Sequence, residues 1–179
     1  MRKQLRLSGS GGQGVITAAI IFAEAAVAEG KNAVQSQSYG PEARGGASKS
    51  EVIIDDAPIY HPHVEVPDVV LAMTQKAADK YSVDLNPEGL LILDDTLVPN
   101  TPDFPNVIRI PITHLAVDEL GKSLFANIVA LGVLVKATGL VSFDTIKESV
   151  ANRVPKHTIE QNMKALELGY NAAEKALAK

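Results

Sequence analysis

Short apolar runs alternate with longer segments of helical periodicity along this chain. Six runs predict strands, at residues 4–8, 32–36, 47–54, 68–73, 90–93 and 107–110. Six segments predict helices, at residues 15–29, 75–81, 113–120, 124–138, 143–154 and 157–177. Strands that alternate with helices predict an α/β fold with a mostly parallel sheet and helices on both faces. No linker or repeat divides the 179 residues, so the sequence predicts one domain spanning 1–179.

The third predicted strand is followed by a turn signal. Residues 47–54 alternate between apolar and polar positions, and residues 55–58 read Asp-Asp-Ala-Pro. Such a turn favours a hairpin whose return strand is formed by residues 59–60.

Two of the predicted helices are apolar on nearly every side. Residues 15–28 contain only Thr17 and Glu24 as polar residues, and residues 124–137 contain only Asn127 and Lys136. Helices of this kind are buried all round. Two interpretations follow, a central helix beneath the sheet or a helix with one face covered by a partner chain. The second interpretation also predicts self-association of the isolated chain.

Composition and charge exclude several functions. The chain carries 17 basic and 21 acidic residues, for a net charge of −4, and has no basic run, which argues against nucleic-acid binding. It contains no cysteine, which excludes disulfides, a thiolate-held iron–sulfur cluster and a cysteine nucleophile. No apolar stretch reaches the roughly 20 residues of a membrane span, and no signal peptide is evident. We therefore predict a cytoplasmic location and no membrane association.

A glycine-rich turn joins the first strand to the first helix. Residues 9–14 read Gly-Ser-Gly-Gly-Gln-Gly, a G-x-G-x-x-G pattern in which backbone N–H groups and the helix N-terminus favour an anion. A dinucleotide would require an acidic residue at the end of the second strand. That strand has none, and Glu29 precedes it, so NAD is disfavoured. Anion or cofactor contact shared with another subunit and a turn that only permits close packing remain as alternatives.

A second loop follows the second strand. Residues 38–46 read Ser-Tyr-Gly-Pro-Glu-Ala-Arg-Gly-Gly, so that glycines bracket Arg44. We expect this second loop to lie beside the glycine turn at the carboxyl edge of the sheet, with the two turns leaving neighbouring strands. Arg44 and the helix N-terminus would then converge on one anionic group. The alternative is a surface turn in which Arg44 pairs with Glu42.

Other polar clusters offer little chemistry. His61 and His63 have a spacing usable for a metal but lack a third ligand, so a turn is the favoured interpretation and no metal site is predicted. Asp94 and Asp95 end a strand, where a turn or a helix cap accounts for them. No nucleophile–base–acid set is present, so the sequence predicts no catalytic residue on this chain.

Three motifs together resemble a known family. The glycine turn, the second loop and Ser-Leu-Phe-Ala-Asn-Ile-Val-Ala-Leu-Gly at residues 123–132 resemble the gamma subunit of 2-oxoacid:ferredoxin oxidoreductases, most closely the 2-oxoglutarate branch. The resemblance covers nearly the whole chain and implies a Rossmann-like, three-layer domain within an enzyme of alpha, beta, gamma and delta subunits. That enzyme oxidatively decarboxylates a 2-oxoacid, forms acyl-coenzyme A and reduces ferredoxin.

The resemblance also implies where cofactors lie. Thiamine diphosphate with Mg would sit between alpha and beta chains and 4Fe-4S clusters on beta and delta, so this chain alone would bind no cofactor and be inactive when isolated. Coenzyme A binding shared with this chain is a hypothesis. The alternatives are a free-standing Rossmann-like nucleotide-binding oxidoreductase or sensor, and a pure scaffold subunit. By resemblance, the residues lining the face toward the alpha chain are Gly9, Gly11, Gly12, Gln13, Gly14, Tyr39, Glu42 and Arg44.

Overall fold

A computed structural model describes residues 1–38 and 46–179 of the chain. Its strands are β1 (Arg2–Ser10), β2 (Asn32–Gln37), β3 (Ala47–Asp55), β4 (Val69–Ala72), β5 (Leu90–Asp94) and β6 (Val107–Ile110). Its α-helices are α1 (Val15–Ala28), α2 (Gln75–Tyr81), α3 (Ile112–Leu120), α4 (Ala126–Thr138), α5 (Phe143–Arg153) and α6 (Ile159–Leu177). Short 3₁₀ turns, Ser123–Phe125 and Lys156–Thr158, precede α4 and α6.

The strands form one sheet in the order β2-β3-β1-β4-β5-β6. β1, β4, β5 and β6 pair in parallel, whereas β3 is antiparallel to both β1 and β2. β3 is thus the one reversed strand among those that the structure describes. The predicted α/β fold with a mostly parallel sheet is confirmed.

The predicted hairpin after β3 is wrong. Residues 59–60 form no strand, and β3 instead pairs along its whole length with β1, from Arg2 opposite Asp55 to Ser10 opposite Ala47. The chain must then travel from the end of β3 to the start of β4, on the other side of β1. Residues 56–68 make this crossing and contact β1 on the way, where the Nη2 of Arg2 donates to the carbonyl oxygen of His61 at 3.0 Å.

Two apolar clusters cover the two faces of the sheet. β4 shows the division clearly, because Val69 and Leu71 belong to the larger cluster and Val70 and Ala72 to the smaller one. The larger cluster contains residues of α1, α3, α4, α5 and α6, and the smaller one contains residues of α2. Side chains of a strand alternate between faces, so both faces of β4 are buried. Helices therefore lie on both sides of the sheet, as predicted.

Helix α4 is buried within the chain itself. Its residues from Ile128 to Val135 are at most 2% exposed, apart from the buried glycine at position 132. The interpretation of this apolar helix as a central one is confirmed, and no partner chain is needed to cover it. α1 is less enclosed, because Val27 near its end is 56% exposed. No helix in the described part of the chain is long and apolar enough to cross a membrane.

Two glycines let α4 and α6 approach closely. A Cβ atom on Gly132 would overlap the carbonyl oxygen of Leu166, and one on Gly169 would overlap the carbonyl oxygen of Val129. Each glycine thus packs directly against the backbone of the opposite helix. This crossing buries Leu166 completely and fixes α6 over the larger cluster.

A buried ion pair lies beneath α2. The guanidinium of Arg6 in β1 is 5% exposed and donates to Glu51 at 2.8 Å, to Asp84 at 2.6 and 3.2 Å, and to the carbonyl oxygen of Tyr81 at 3.0 Å. Burial opposes the charge of Arg6, but its hydrogen bonds to Asp84 and Glu51 outweigh this effect and raise its pKa. Partial burial likewise opposes the charge of Asp84, but the hydrogen bond from Arg6 lowers the pKa of that carboxyl below its ordinary value. The arginine thereby joins β1, β3 and the end of α2.

Candidate functional site

The glycine turn closes on itself through Gln13. The backbone N–H of Gln13 donates to the carbonyl oxygen of Ser10 at 3.2 Å, and its side-chain Oε1 accepts from the N–H of Ser10 at 2.7 Å. Gly12 and Gly14 have φ values of +89° and +78°, a backbone region that favours glycine. A Cβ atom on Gly9 would overlap the Oε1 of Gln13. The side chain of Gln13 folds back over the end of β1, and only a glycine at position 9 leaves room for it.

The described ends of the second loop reach the same edge of the sheet. The N–H of Gly11 donates to the carbonyl oxygen of Gly46 at 3.4 Å, and the N–H of Ser38 donates to that of Lys49 at 3.3 Å. Gly46 is therefore hydrogen-bonded to the glycine turn and Ser38 to β3, both near the carboxyl end of β1. The predicted neighbourhood of the two turns is confirmed for these ends. One detail is wrong, because β1 and β2 are not neighbours and β3 lies between them.

Three of the predicted site residues lie outside the described residues. These are Tyr39, Glu42 and Arg44, and their proposed role stays a prediction. The structure does bring the other five together, since Gly9 is near the end of β1 and Gly11, Gly12, Gln13 and Gly14 form the turn that leads into α1.

The N-terminus of α1 opens at this rim. Gly14 is its N-cap residue, no described side chain caps it, and the carbonyl oxygen of Gly14 accepts from Ala18 at 3.1 Å as the first bond of the helix. The first turn contains no acidic side chain. N–H groups of a first helical turn have no partner within the helix, and the helix dipole places partial positive charge there. The rim therefore favours a negatively charged or carbonyl-bearing group.

The third motif contacts the glycine turn from the opposite side. Asn127 Nδ2 donates to the carbonyl oxygen of Gly14 at 3.3 Å. Beside this contact, a crevice of about 400 Å³ is bounded by the glycine turn, the turn after β5, the first turn of α3 and the segment that leads into α4. Leu124 at its mouth is 72% exposed. The crevice is lined by Gly12, Gln13, Leu97, Thr113, Ser123, Leu124 and Ala126.

The two adjacent aspartates have structural roles. Asp94 is fully buried and accepts from the N–H of Thr96 at 3.0 Å and from the N–H and hydroxyl of Thr113 in the first turn of α3. Asp95 points away from it and pairs with Arg109 at 2.6 Å. The interpretation of these residues as a turn and a helix cap is confirmed. Asp94 holds α3 against the rim without facing solvent.

Two other sequence-based expectations can be compared with the structure. The described part of β2 has no acidic residue at its end, and the carboxylate of Glu29 accepts from the N–H of Ser142 at 2.9 Å, next to the start of α5. Glu29 is therefore engaged away from the rim. Across residues 1–38 and 46–179, no group of three His, Cys, Asp or Glu side chains could hold a metal ion.

Sequence reasoning missed Asn127 and the crevice beside it. Asn127 is one of only two polar residues in an otherwise apolar helix, and that isolation is the signal that could have identified it. A partly buried amide in such a place favours a hydrogen-bond partner within the protein. Its partner proves to be the last residue of the glycine turn. The crevice could not be found from the sequence, since its walls come from four separate segments of the chain.

Comparison with known proteins gives consistent similarities. Residues 4–172 match the family model described as pyruvate ferredoxin/flavodoxin oxidoreductase. The 2-oxoglutarate synthase subunit KorC of Methanocaldococcus jannaschii is 46% identical, over 97% of this chain and 95% of that protein. A crystal structure of the gamma subunit of a keto/oxoacid ferredoxin oxidoreductase from Geobacter sulfurreducens is 47% identical, covers 98% of both chains and has a TM-score of 0.91.

A third relative has a different length. The ketoisovalerate oxidoreductase subunit VorA of Methanothermobacter marburgensis is 33% identical over 97% of this chain, but the match spans 37% of that protein. The region that constitutes the present chain is therefore about one third of a longer polypeptide in that relative.

Proposed function

This chain belongs to the pyruvate ferredoxin/flavodoxin oxidoreductase family, and we propose that it is the gamma-type subunit of a 2-oxoglutarate:ferredoxin oxidoreductase. The observation that carries the proposal is the near full-length match, 46% identical, to a 2-oxoglutarate synthase subunit. Identity falls to 33% for a ketoisovalerate oxidoreductase subunit. The assembled enzyme would convert 2-oxoglutarate and coenzyme A to succinyl-coenzyme A and carbon dioxide, passing two electrons to ferredoxin.

The chemistry would lie largely on partner chains. In the relative VorA the match spans 37% of the polypeptide, and the remaining sequence makes up about two thirds of it, so in the present enzyme the equivalent of that additional sequence would be a separate chain. We assign it to the alpha subunit, with beta and delta subunits completing the complex. Thiamine diphosphate, Mg and 4Fe-4S clusters would be bound by these partners. The lack of cysteine in this chain agrees with this division of roles.

The glycine turn and its surroundings would form the face toward the alpha subunit. The first turn of α1 directs backbone N–H groups to the rim, and Arg44 precedes by two positions Gly46, whose carbonyl oxygen accepts from Gly11 of the glycine turn. A phosphate group of coenzyme A suits a helix N-terminus together with an arginine. Within the turn itself, the N–H groups of Ser10, Gly11 and Gln13 are already engaged, so the helix N-terminus would supply the donors.

The test uses the complex purified with all its subunits. Arg44→Ala is expected to raise the dissociation constant for coenzyme A about tenfold, the usual effect of losing one charge-assisted hydrogen bond, while thiamine diphosphate content stays unchanged. Arg2→Ala is the matched control, because Arg2 lies at the start of β1, at the end of the strand opposite to the glycine turn. Equal loss of coenzyme A binding and thiamine content would indicate failed assembly and contradict the binding role.

Two alternatives give different results. A free-standing nucleotide-binding oxidoreductase or sensor requires that the isolated chain bind NAD or FAD at micromolar affinity. A pure scaffold subunit requires that coenzyme A binding by the complex be insensitive to substitutions in both the glycine turn and the second loop. Purification of this chain from its native source without any companion subunit would contradict the whole proposal.

A further inference from the structure

Strand β2 forms one edge of the sheet and lacks the usual protection of an edge. Its sequence, Asn-Ala-Val-Gln-Ser-Gln, contains no charged residue, proline or glycine. Among the described strands, only β3 pairs with it. Natural edge strands usually carry charges, prolines or bulges, because open N–H and C=O groups recruit another strand. The open side of β2 therefore fits a further extended strand.

The register of β2 identifies the backbone groups that face outward. The N–H of Ser38 donates to the carbonyl oxygen of Lys49, which continues the pairing of β2 with β3. Hydrogen-bonded and non-bonded positions alternate along an antiparallel pair. The even-numbered residues of β2 therefore bond to β3, and Ala33 and Gln35 direct their N–H and C=O groups toward the open edge.

An apolar groove runs beside this edge, between β2 and α1. It has a volume of about 340 Å³ and is lined mainly by Ile20, Ala23, Val27 and Ala33, with Gln35 at its end. Val27 is more than half exposed. The one charged residue of the groove, Glu24, forms an ion pair with Arg153 of α5. Among the described residues, the groove and the strand edge carry no unpaired charge.

We propose that this surface binds a second copy of the same chain, with β2 pairing antiparallel to its counterpart across a two-fold axis. In such a pair the residue on the axis faces its own copy and its neighbours lie diagonally across from theirs, so like charges near the axis would repel each other. The neutral sequence of β2 meets this condition. The apolar grooves of the two copies would close against each other, and the two six-stranded sheets would become one.

The same geometry limits the position of the axis. Hydrogen-bonded pairs form between outward-facing residues, and the two copies of β2 overlap over the greatest length when the axis passes beside Val34 or Gln35. A centre at Ala33 would place Lys31 opposite Gln35, but the N–H of Lys31 already donates to the carbonyl oxygen of Ala26 at 3.1 Å. The axis therefore passes beside Val34 or Gln35, and in both cases the two Gln35 side chains lie directly or diagonally opposite each other.

A charge-pairing experiment on the full-length chain tests this arrangement. Gln35→Lys and Gln35→Glu are each expected to raise the dissociation constant of the dimer about tenfold or more, because like charges would meet in a partly desolvated site. An equimolar mixture of the two variants should form a mixed dimer about as readily as the natural chain. Sedimentation equilibrium measures all three dissociation constants.

Two control variants separate this effect from general damage. Gln35→Thr is neutral and favours strands, so its dimer should persist. Val83→Lys adds the same charge at a position that is 81% exposed and remote from β2, and it should leave the dimer unchanged. A natural chain that stays monomeric at concentrations of about 100 μM, the weak end of specific association, would overturn the proposal. So would a dimer that tolerates both charges at position 35, or charged variants whose mixture fails to associate.

Discussion

Asn127 donates a hydrogen bond from its side-chain amide to the carbonyl oxygen of Gly14 at 3.3 Å, which joins the start of α4 to the start of α1. The two residues are 113 positions apart in sequence and belong to the third and first of the family-like motifs. The contact leaves no space for a side chain on residue 14, since a Cβ atom there would lie 2.5 Å from the Nδ2 of Asn127. The glycine turn is thus positioned by packing as well as by its own hydrogen bonds.

Replacement of Gly14 should therefore destabilise the chain for two separate reasons. Gly14→Ala introduces a left-handed backbone strain of about 1 kcal/mol and a steric overlap with Asn127 that adds about 1–3 kcal/mol. Gly12→Ala is the matched control, because it has a similar φ of +89° and open space around its Cβ position. Urea unfolding should show a loss for Gly12→Ala that is clearly smaller than the loss for Gly14→Ala.

A double substitution separates the two contributions. In the presence of Asn127→Ala, the additional cost of Gly14→Ala should fall toward that of Gly12→Ala, because the overlapping amide is gone. Fully additive losses in Gly14→Ala and Asn127→Ala would show that the two residues do not interact in the way described.

The α4–α6 crossing should tolerate substitution even less. A methyl group on Gly169 would overlap the backbone of Val129, and backbone cannot rotate away as a side chain can. We expect Gly169→Ala to lower the free energy of unfolding by about 3 kcal/mol or more, through separation of the two helices. Gly121→Ala, at the end of α3 where nothing lies near its Cβ position, should cost only about 1 kcal/mol. Similar losses for both variants in urea unfolding would contradict the close crossing.

The elements of this fold could largely be predicted from the sequence. Residues 75–81 and 107–110 were placed correctly to the residue, because apolar periodicity and flanking turn residues mark helix and strand locally. The partners of β3 could not be predicted in this way. Alternation over residues 47–54 indicates a strand with two different faces, but it does not reveal that the strand inserts between β1 and β2. That choice depends on contacts between distant segments.

The candidate site was predictable only in part, for a similar reason. The glycine turn is a continuous motif that lies between a strand and a helix, so its place at the rim follows from local sequence. Arg6 carries no such signal. It is a single charge between Leu5 and Leu7, and only the fold brings Glu51 and Asp84 to it from 45 and 78 residues away.

The Arg6–Asp84 pair predicts a specific dependence of stability on pH. The pKa of Asp84 is lower in the folded chain than its ordinary value, because the hydrogen bond and charge of Arg6 outweigh partial burial. The stabilisation is therefore fully present above about pH 4, the ordinary pKa range of an aspartate, and is lost as the pH falls through the folded-state pKa. Asp84→Asn should be less stable than the natural chain at pH 7, and this difference should shrink between about pH 4 and pH 2.

Urea unfolding of both proteins across this range measures the effect. Asp103→Asn serves as the control for removal of a negative charge elsewhere, since Asp103 lies in the loop between β5 and β6, away from Arg6. A difference between Asp84→Asn and the natural chain that stays constant down to pH 2 would show that the carboxylate charge contributes nothing.

Leu124 offers a test of the rim as a docking face. Its side chain is 72% exposed at the mouth of the crevice, so Leu124→Ser should change the free energy of unfolding by no more than about 0.5 kcal/mol. If the rim faces the alpha subunit, the same substitution should weaken assembly about tenfold, because an apolar side chain that fills a pocket at an interface contributes about 1–2 kcal/mol. Val83→Ser is the control, as Val83 is also a highly exposed apolar residue but lies beyond the C-terminus of α2 and does not line this crevice. Titration of the partner subunits with each variant, followed by size-exclusion chromatography, measures the effect. If the Leu124→Ser and Val83→Ser variants assemble equally well, the docking face lies elsewhere.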